Sequence, residues 1–190
     1  MPEFDLIRRL QETIEVCGTD RGLDCVVGIG DDAAVLNCPA GRQLAVCTDT
    51  LVEGVHFPVN TRARSVGYKS LAVNLSDLAA MGAEPAWFFM ALTLPQENPS
   101  WLDEFADGMA TLAREAGIIL AGGDTTTGPL SITITAVGLL EPGTAMTRCG
   151  AREGDLVVVS GKPGRAANAL RCLQEHRKPA ADDLQALEFP

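Results

Sequence analysis

The chain has 190 residues, 46% apolar and 21% charged, which is enough to bury the core of one domain. Fifteen basic against 25 acidic side chains give a formal charge of −10, which opposes binding to nucleic acid or to anionic membrane surfaces. Six scattered cysteines (Cys17, Cys25, Cys38, Cys47, Cys149, Cys172) lack the C-x-x-C pairs of zinc and redox sites, and read as reduced thiols, mostly small core hydrophobes.

The opening MPEFDLIRRL is charged where a signal peptide needs an apolar stretch, and the longest apolar run, Ala86 to Leu92, is too short for a bilayer. A cytoplasmic protein is expected.

In chain order, Leu6, Ile7, Leu10 and Ile14 share one face of a predicted amphipathic helix over Phe4 to Val16, closed by a turn at Gly18 to Gly22. Short β-like runs follow at Cys25 to Ile29, Ala33 to Leu36 and Gln43 to Cys47, the last leading into an acidic loop Thr48-Asp49-Thr50. Ala63 to Met81 is helical, with Val66, Leu71, Leu75 and Leu78 inward and Gly82 as terminator.

A strand over Trp87 to Leu94 stops at Pro95. Pro99 suits a first helical position, and Trp101, Leu102, Phe105, Met109, Leu112 and Ala113 form the stripe of a helix ending near Gly117. Ile118 to Leu120 reads as a strand opening into a Gly122-Gly123-Asp124 loop, Leu130 to Leu140 as β structure closed by Glu141-Pro142-Gly143, and Asp155 to Val159 as a strand. Arg165 to His176 is helical, with His176 on an exposed helix end and loosely polar sequence after it.

Four short acidic motifs lie against apolar segments: G-I-G-D-D-A-A at Gly28 to Ala34, C-T-D-T at Cys47 to Thr50, N-L-S-D at Asn74 to Asp77 and G-G-D-T-T at Gly122 to Thr126. Taken singly, each aspartate has an ordinary use in a turn, a cap or a solvated face. Taken together, converging carboxylates repel: two like charges ~4 Å apart cost about 4 kcal/mol at an effective dielectric of about 20. Carboxylates beside threonine hydroxyls favour Mg²⁺, which binds through one or two carboxylates plus substrate phosphates. Asp77 fits solvent least well, because it follows Asn74 by three residues among Leu71, Leu75 and Leu78. Between Asp31 and Asp32 the residues alone make no choice.

A phosphate loop of the G-x-x-x-x-G-K-[ST] type, a protein-kinase catalytic loop and a nucleophile elbow are all missing, and the two histidines, His56 and His176, are too few for a histidine metal cluster. Phosphoryl transfer tolerates this, because it depends mainly on positioning and on neutralising phosphate charge.

Together E-F-D-L-I, G-I-G-D-D-A-A, T-D-T-L-V-E-G-V-H-F, K-S-L-A-V-N-L-S-D-L-A-A-M-G-A-E-P, G-G-D-T-T and T-R-C-G-A closely resemble the thiamine-monophosphate kinases. These share a superfamily with aminoimidazole ribonucleotide synthetase, selenophosphate synthetase and a hydrogenase-maturation protein. The resemblance runs from about Glu3 to Gly161. It implies an α/β (α+β) fold, a mixed sheet with helices on one side, dimerising through that sheet. It divides the chain into an ATP/Mg-binding and dimerisation domain over 1–149 and the start of an incomplete second domain over 150–190. The implied reaction is transfer of a phosphoryl group from ATP directly to thiamine monophosphate.

By the same resemblance Asp32, Thr48, Asp49, Asp77 and Asp124 hold several Mg²⁺ ions, Gly123, Asp124 and Arg148 contact ATP, and His56 contacts thiamine monophosphate without transferring a proton. Cys47 departs from the Ser or Thr that relatives carry, and a thiol is a poor Mg²⁺ ligand. The alternatives are another ATP-using enzyme of the superfamily, or a truncated Mg-nucleotide-binding module without turnover.

Overall fold

The computed structural model describes residues 3–14, 23–96 and 98–190. The turn expected at Gly18 to Gly22 lies outside them, as does Cys17. The chain divides into two compact units, Met1–Ala145 and Met146–Pro190.

In the first unit, helix α1 (Glu3–Ile14) is followed by strands β1 (Asp24–Val27), β2 (Val35–Asn37) and β3 (Gln43–Val52), helix α2 (Ala63–Ala80), strand β4 (Glu84–Leu94), helix α3 (Pro99–Ala116), and strands β5 (Ile119–Thr127) and β6 (Ser131–Leu140). β1 and β2 form an antiparallel hairpin, and the main sheet has the order β3-β6-β4-β5. β6 is antiparallel to both β3 and β4, while β4 and β5 run parallel. The sheet is therefore mixed, as expected.

Alternation along the strands sends Leu51 of β3, Phe88, Met90 and Leu92 of β4 and Ile132, Ile134 and Ala136 of β6 into one core with Val66, Leu71 and Leu78 of α2 and Leu102, Phe105 and Met109 of α3. Leu10 and Ile14 of α1 join it. On the opposite face Trp87, Ala121, Val137 and Leu139 pack with Leu23, and Cys25 and Leu36 of the hairpin lie against them.

The helix ends follow the sequence cues. Asn98 Oδ1 accepts from the Trp101 N–H at 3.2 Å, Pro99 opens α3, and Gly117 closes it at φ 62°. α2 ends where the Ala83 N–H returns to the Leu78 carbonyl at 2.9 Å around Gly82, φ 72°.

Three expectations are corrected. Thr48-Asp49-Thr50 is no loop: β3 continues through it to Val52, because β6 offers a full-length partner, Gln43↔Leu140 to Val52↔Ser131. Gly122-Gly123-Asp124 also belongs to a strand, paired to Phe89, Met90 and Ala91 of β4. Asp155 to Val159 forms no strand, and Leu156, Val157, Val158 and Val159 are 89%, 97%, 81% and 69% exposed. An apolar run becomes a strand only with a ladder partner, and none is found for it among the described residues.

The second unit contains α4 (Arg165–Gln174) and α5 (Ala181–Glu188), the latter in the stretch read as loosely polar. Asn168 Nδ2 donates to Asp183 Oδ2 at 2.7 Å across the pair. His176 is exposed just past α4, as expected. The thiols are less core-like than expected: Cys172 is buried, Cys25 and Cys47 are half-buried, and Cys38 and Cys149 are exposed.

Candidate active site

The first unit carries a cleft of about 710 Å³ between the Gly28 to Ala34 loop, strand β5 and α1, within the usual range for a small-molecule site. Ile7, Leu10, Ile29 and Phe89 give it apolar wall, and Asp32, Asp124 and Thr125 give it polar groups. The loop turns through Gly30 at φ 115°, where a side chain is strained. Asp31 Oδ1 accepts from the Asp32 N–H at 2.8 Å, so Asp31 serves the loop, while among the described residues the Asp32 carboxylate makes no such bond. That distinction was not available to sequence reading.

Gly123 faces a different demand from the one expected of it. A Cβ there would sit 2.0 Å from the Met90 carbonyl oxygen of the adjacent strand, so the missing side chain lets β5 close on β4. Gly123→Ala should loosen that pairing, displace Asp124 and lower the melting temperature; an unchanged melt would show that the strand accommodates the methyl.

At the other edge of the sheet, Cys47 and Asp49 of β3 turn toward α2. Cys47 Sγ lies 3.4 Å from the Asn74 carbonyl oxygen, and Asn74 is fully buried, its Nδ2 donating to the Ser70 carbonyl at 3.0 Å. Asn74 is therefore a structural residue of α2, whereas Asp77 is exposed. Burial first, then the nearby Asp77 and Asp49 carboxylates, push the Cys47 thiol above its ordinary pKa. The thiolate fraction at a given pH is correspondingly reduced. Alkylation of Cys47 by iodoacetamide should lag behind that of exposed Cys38 and Cys149 and rise only at more alkaline pH; equal rates in peptide mapping would contradict this.

On the helix-free face of β3 and β6, Thr48 Oγ1 lies 2.9 Å from Thr135 Oγ1, and Thr50 Oγ1 lies 2.8 Å from Thr133 Oγ1. Thr48 and Asp49, adjacent in sequence, thus point to opposite faces.

Beyond β3 the chain makes a tight turn. The His56 N–H donates to the Val52 carbonyl at 2.9 Å, and the Val52 N–H donates to His56 Nδ1 at 3.0 Å. The neutral ring consequently carries its proton on Nε2. Lys69 of α2 places Nζ 3.5 Å from the His56 carbonyl oxygen, and burial lowers its pKa. The sequence reading gave Lys69 no role. The available signal was that it is the single lysine in residues 1–145.

These groups do not gather at one point within the unit. By register Asp49 shares a row with Ile134, Met90 and Gly123, so about three strand spacings, roughly 14 Å, separate it from the neighbourhood of Asp124. Among the described residues no three His, Cys, Asp or Glu side chains are close enough to hold one metal ion. The set divides into Asp49 and Asp77 near Cys47, and Asp32 and Asp124 lining the cleft. None of the four forms an ion pair among the described residues, while Asp103, Asp107, Asp182 and Asp183 all do. Arg148 lies in the second unit, exposed in a turn.

Over 94% of its length the chain is 47% identical to the thiamine-monophosphate kinase of Escherichia coli strain K12, of which it covers 54%. A crystal structure of thiamine-monophosphate kinase from Stenotrophomonas maltophilia K279a superposes with a TM-score of 0.84 at 47% identity, covering 100% of this chain and 60% of that one. AaThiL complexed with AMPPCP and TMP superposes at 0.74 with 30% identity, covering 99% and 59% respectively. The chain spans about half the length of the curated relatives it matches. Residues 30–140, from the turn that bears Asp32 to the end of β6, match the family described as AIR synthase related protein, N-terminal domain, and the chain belongs to that family.

Proposed function

We propose that this chain is the amino-terminal part of a thiamine-monophosphate kinase, which transfers the terminal phosphoryl group of ATP to the phosphate of thiamine monophosphate in the cytoplasm. The observation that carries the reading is the mixed apolar and acidic cleft holding Asp32 and Asp124, in a chain 30% identical to AaThiL, which was seen with AMPPCP and TMP.

Aspartates without ion-pair partners are a suitable donor set for Mg²⁺, which needs only one or two carboxylates and keeps waters and phosphates as its other ligands. Asp32, Asp49, Asp77 and Asp124 would hold such ions, and Thr48, on the opposite face of β3 from Asp49, would offer its hydroxyl to a different ion. Mg²⁺, when bound, would neutralise charge between two polyanions, each phosphate monoester carrying about −2. Burial raises the Cys47 pKa and its sulfur turns to α2, so its side chain is a poor candidate for holding metal.

The apolar wall of the cleft would accommodate the base of a nucleotide. By the resemblance Arg148 would contact ATP, its planar fork being suited to phosphate oxygens. His56, with Nδ1 already engaged by the Val52 N–H, donates from Nε2 to the acceptor. Because the acceptor oxygen is already ionised, none of these residues has to remove a proton from it. Residues 1–149 form the nucleotide-binding and dimerisation domain in this reading, and 150–190 begin the second domain.

The active form is proposed to be a homodimer joined through its sheets. Leu44 and Val46 on edge strand β3 are 52% and 61% exposed on the helix-free face, an apolar surface suited to a second sheet. The two acidic pairs lie at opposite edges of one sheet, so a second copy offers a way to bring them together.

A second reading, a Mg-nucleotide-binding module without turnover, is favoured by the chain's coverage of about half its curated relatives. Calorimetric titration with Mg²⁺ and a non-hydrolysable ATP analogue, with and without thiamine monophosphate, followed by a coupled assay for thiamine diphosphate, separates the two. Metal-dependent binding with product supports the kinase, binding without product supports the module, and no binding contradicts both.

A further inference from the structure

Among the described residues, the ion pairs of the first unit use arginine: Arg9 with Asp103, Arg42 with Glu84 and Glu141, and Arg64 with Asp107. Lys69, the unit's single lysine, has no carboxylate partner among the described residues, although it is only half exposed to water. An ammonium has three N–H donors, and among the described residues Lys69 Nζ donates to the His56 carbonyl oxygen at 3.5 Å. Partial burial of an uncompensated charge is unfavourable, and it pushes the Lys69 pKa below its ordinary value. Such a group is stabilised by an arriving anion.

Its surroundings are fixed in place. The Gly54 N–H donates to the Phe57 carbonyl at 2.8 Å, His56 is tied to Val52 through both its backbone and its ring, and α2 carries Lys69 on the helix that also bears Asp77. The Lys69 ammonium therefore sits in the corner between the turn and α2, against the His56 carbonyl, where it offers a positive, donating group. A phosphate monoester, with three acceptor oxygens, complements that corner. A compact ammonium suits a half-buried point contact better than a broad guanidinium.

We infer that Lys69 binds the phosphate of the acceptor beside His56 and makes the site select a phosphorylated over an unphosphorylated acceptor. This rests on the reading of the acceptor as thiamine monophosphate. Mg²⁺ at Asp49 and Asp77 would offset their repulsion of a phosphate, and Lys69 adds a cation of the chain's own that contacts the anion directly.

The test is calorimetry of the intact chain, wild type, Lys69→Gln and Lys69→Arg, with thiamine monophosphate and separately with thiamine, in Mg²⁺ and a non-hydrolysable ATP analogue. Lys69→Gln should weaken thiamine monophosphate about 10- to 100-fold, the usual worth of a charged hydrogen bond. Affinity for thiamine and for the nucleotide should stay within about twofold, and Lys69→Arg should recover part of the loss. Should Lys69→Gln unfold, Lys69→Met keeps the apolar stem and carries the same expectation. Unchanged affinity for thiamine monophosphate, or an equal loss for both acceptors, would overturn the inference while leaving the kinase reading in place. A wild-type chain that binds nucleotide but neither acceptor removes the acceptor assignment, and this inference with it.

Discussion

Asp49→Asn in the enzyme that contains this chain is expected to lower turnover by about 10²- to 10³-fold, the range seen when one electrostatic group of a reacting site is removed. The substitution keeps shape and removes charge. Asp49 sits mid-strand in β3, opposite Ile134, and has no ion pair among the described residues, so the backbone ladder is unaffected. The change is local to the acidic pair with Asp77. Assayed as thiamine diphosphate formed, the loss should appear in kcat and be partly offset by raised Mg²⁺. Near-normal activity would remove Asp49 from the site and leave its half-buried position on β3 without a functional account.

Gly67→Ala is expected to be strongly destabilising, as is its counterpart Gly108→Ala. A Cβ on Gly67 of α2 would lie 2.0 Å from the Phe105 carbonyl oxygen of α3, and one on Gly108 of α3 would lie 2.0 Å from the Arg64 carbonyl oxygen of α2. The two helices cross backbone against backbone at these points. Neither contact is a flexible side chain, so the helices must separate, and Val66, Phe105 and Met109, all at most 1% exposed, lose their packing. Overpacking of this kind costs about 3 kcal/mol or more. In a domain of this size that lowers Tm by roughly 6–12 °C. Alanine is the better helix former by up to about 1 kcal/mol, so intrinsic propensity predicts the opposite sign. Thermal unfolding of the single variants decides: a Tm at or above wild type would mean that the crossing relaxes at little cost.

Much of the fold was legible because local chemistry determined it. Asn98-Pro99 and Gly117 bound α3, Gly82 ends α2, and the apolar spacing of Leu102, Phe105 and Met109 matches the buried stripe. The strands were legible in place but not in extent. Thr48-Asp49-Thr50 and Gly122-Gly123-Asp124 look like loops because their residues are small and polar, yet β6 and β4 supply ladder partners through both. Conversely, Leu156 to Val159 has strand composition and stays exposed, because pairing requires a neighbour that composition does not announce.

For the candidate site, the sequence alone determined which chemical groups are available: the aspartates, the threonines beside them, His56, and no phosphate loop. These residue types suit a metal-dependent phosphate site however the chain folds, since charge and donor type are properties of side chains. Only the tertiary structure decided where the groups lie. Strand alternation sends Thr48 and Asp49 to opposite faces, register puts Asp49 and Asp124 at opposite edges of the sheet, and a hydrogen bond commits Asp31 to its own loop. It likewise set Lys69 against the His56 turn. The physical reason is that such relations arise from pairing and packing between segments far apart in sequence, which no local pattern encodes.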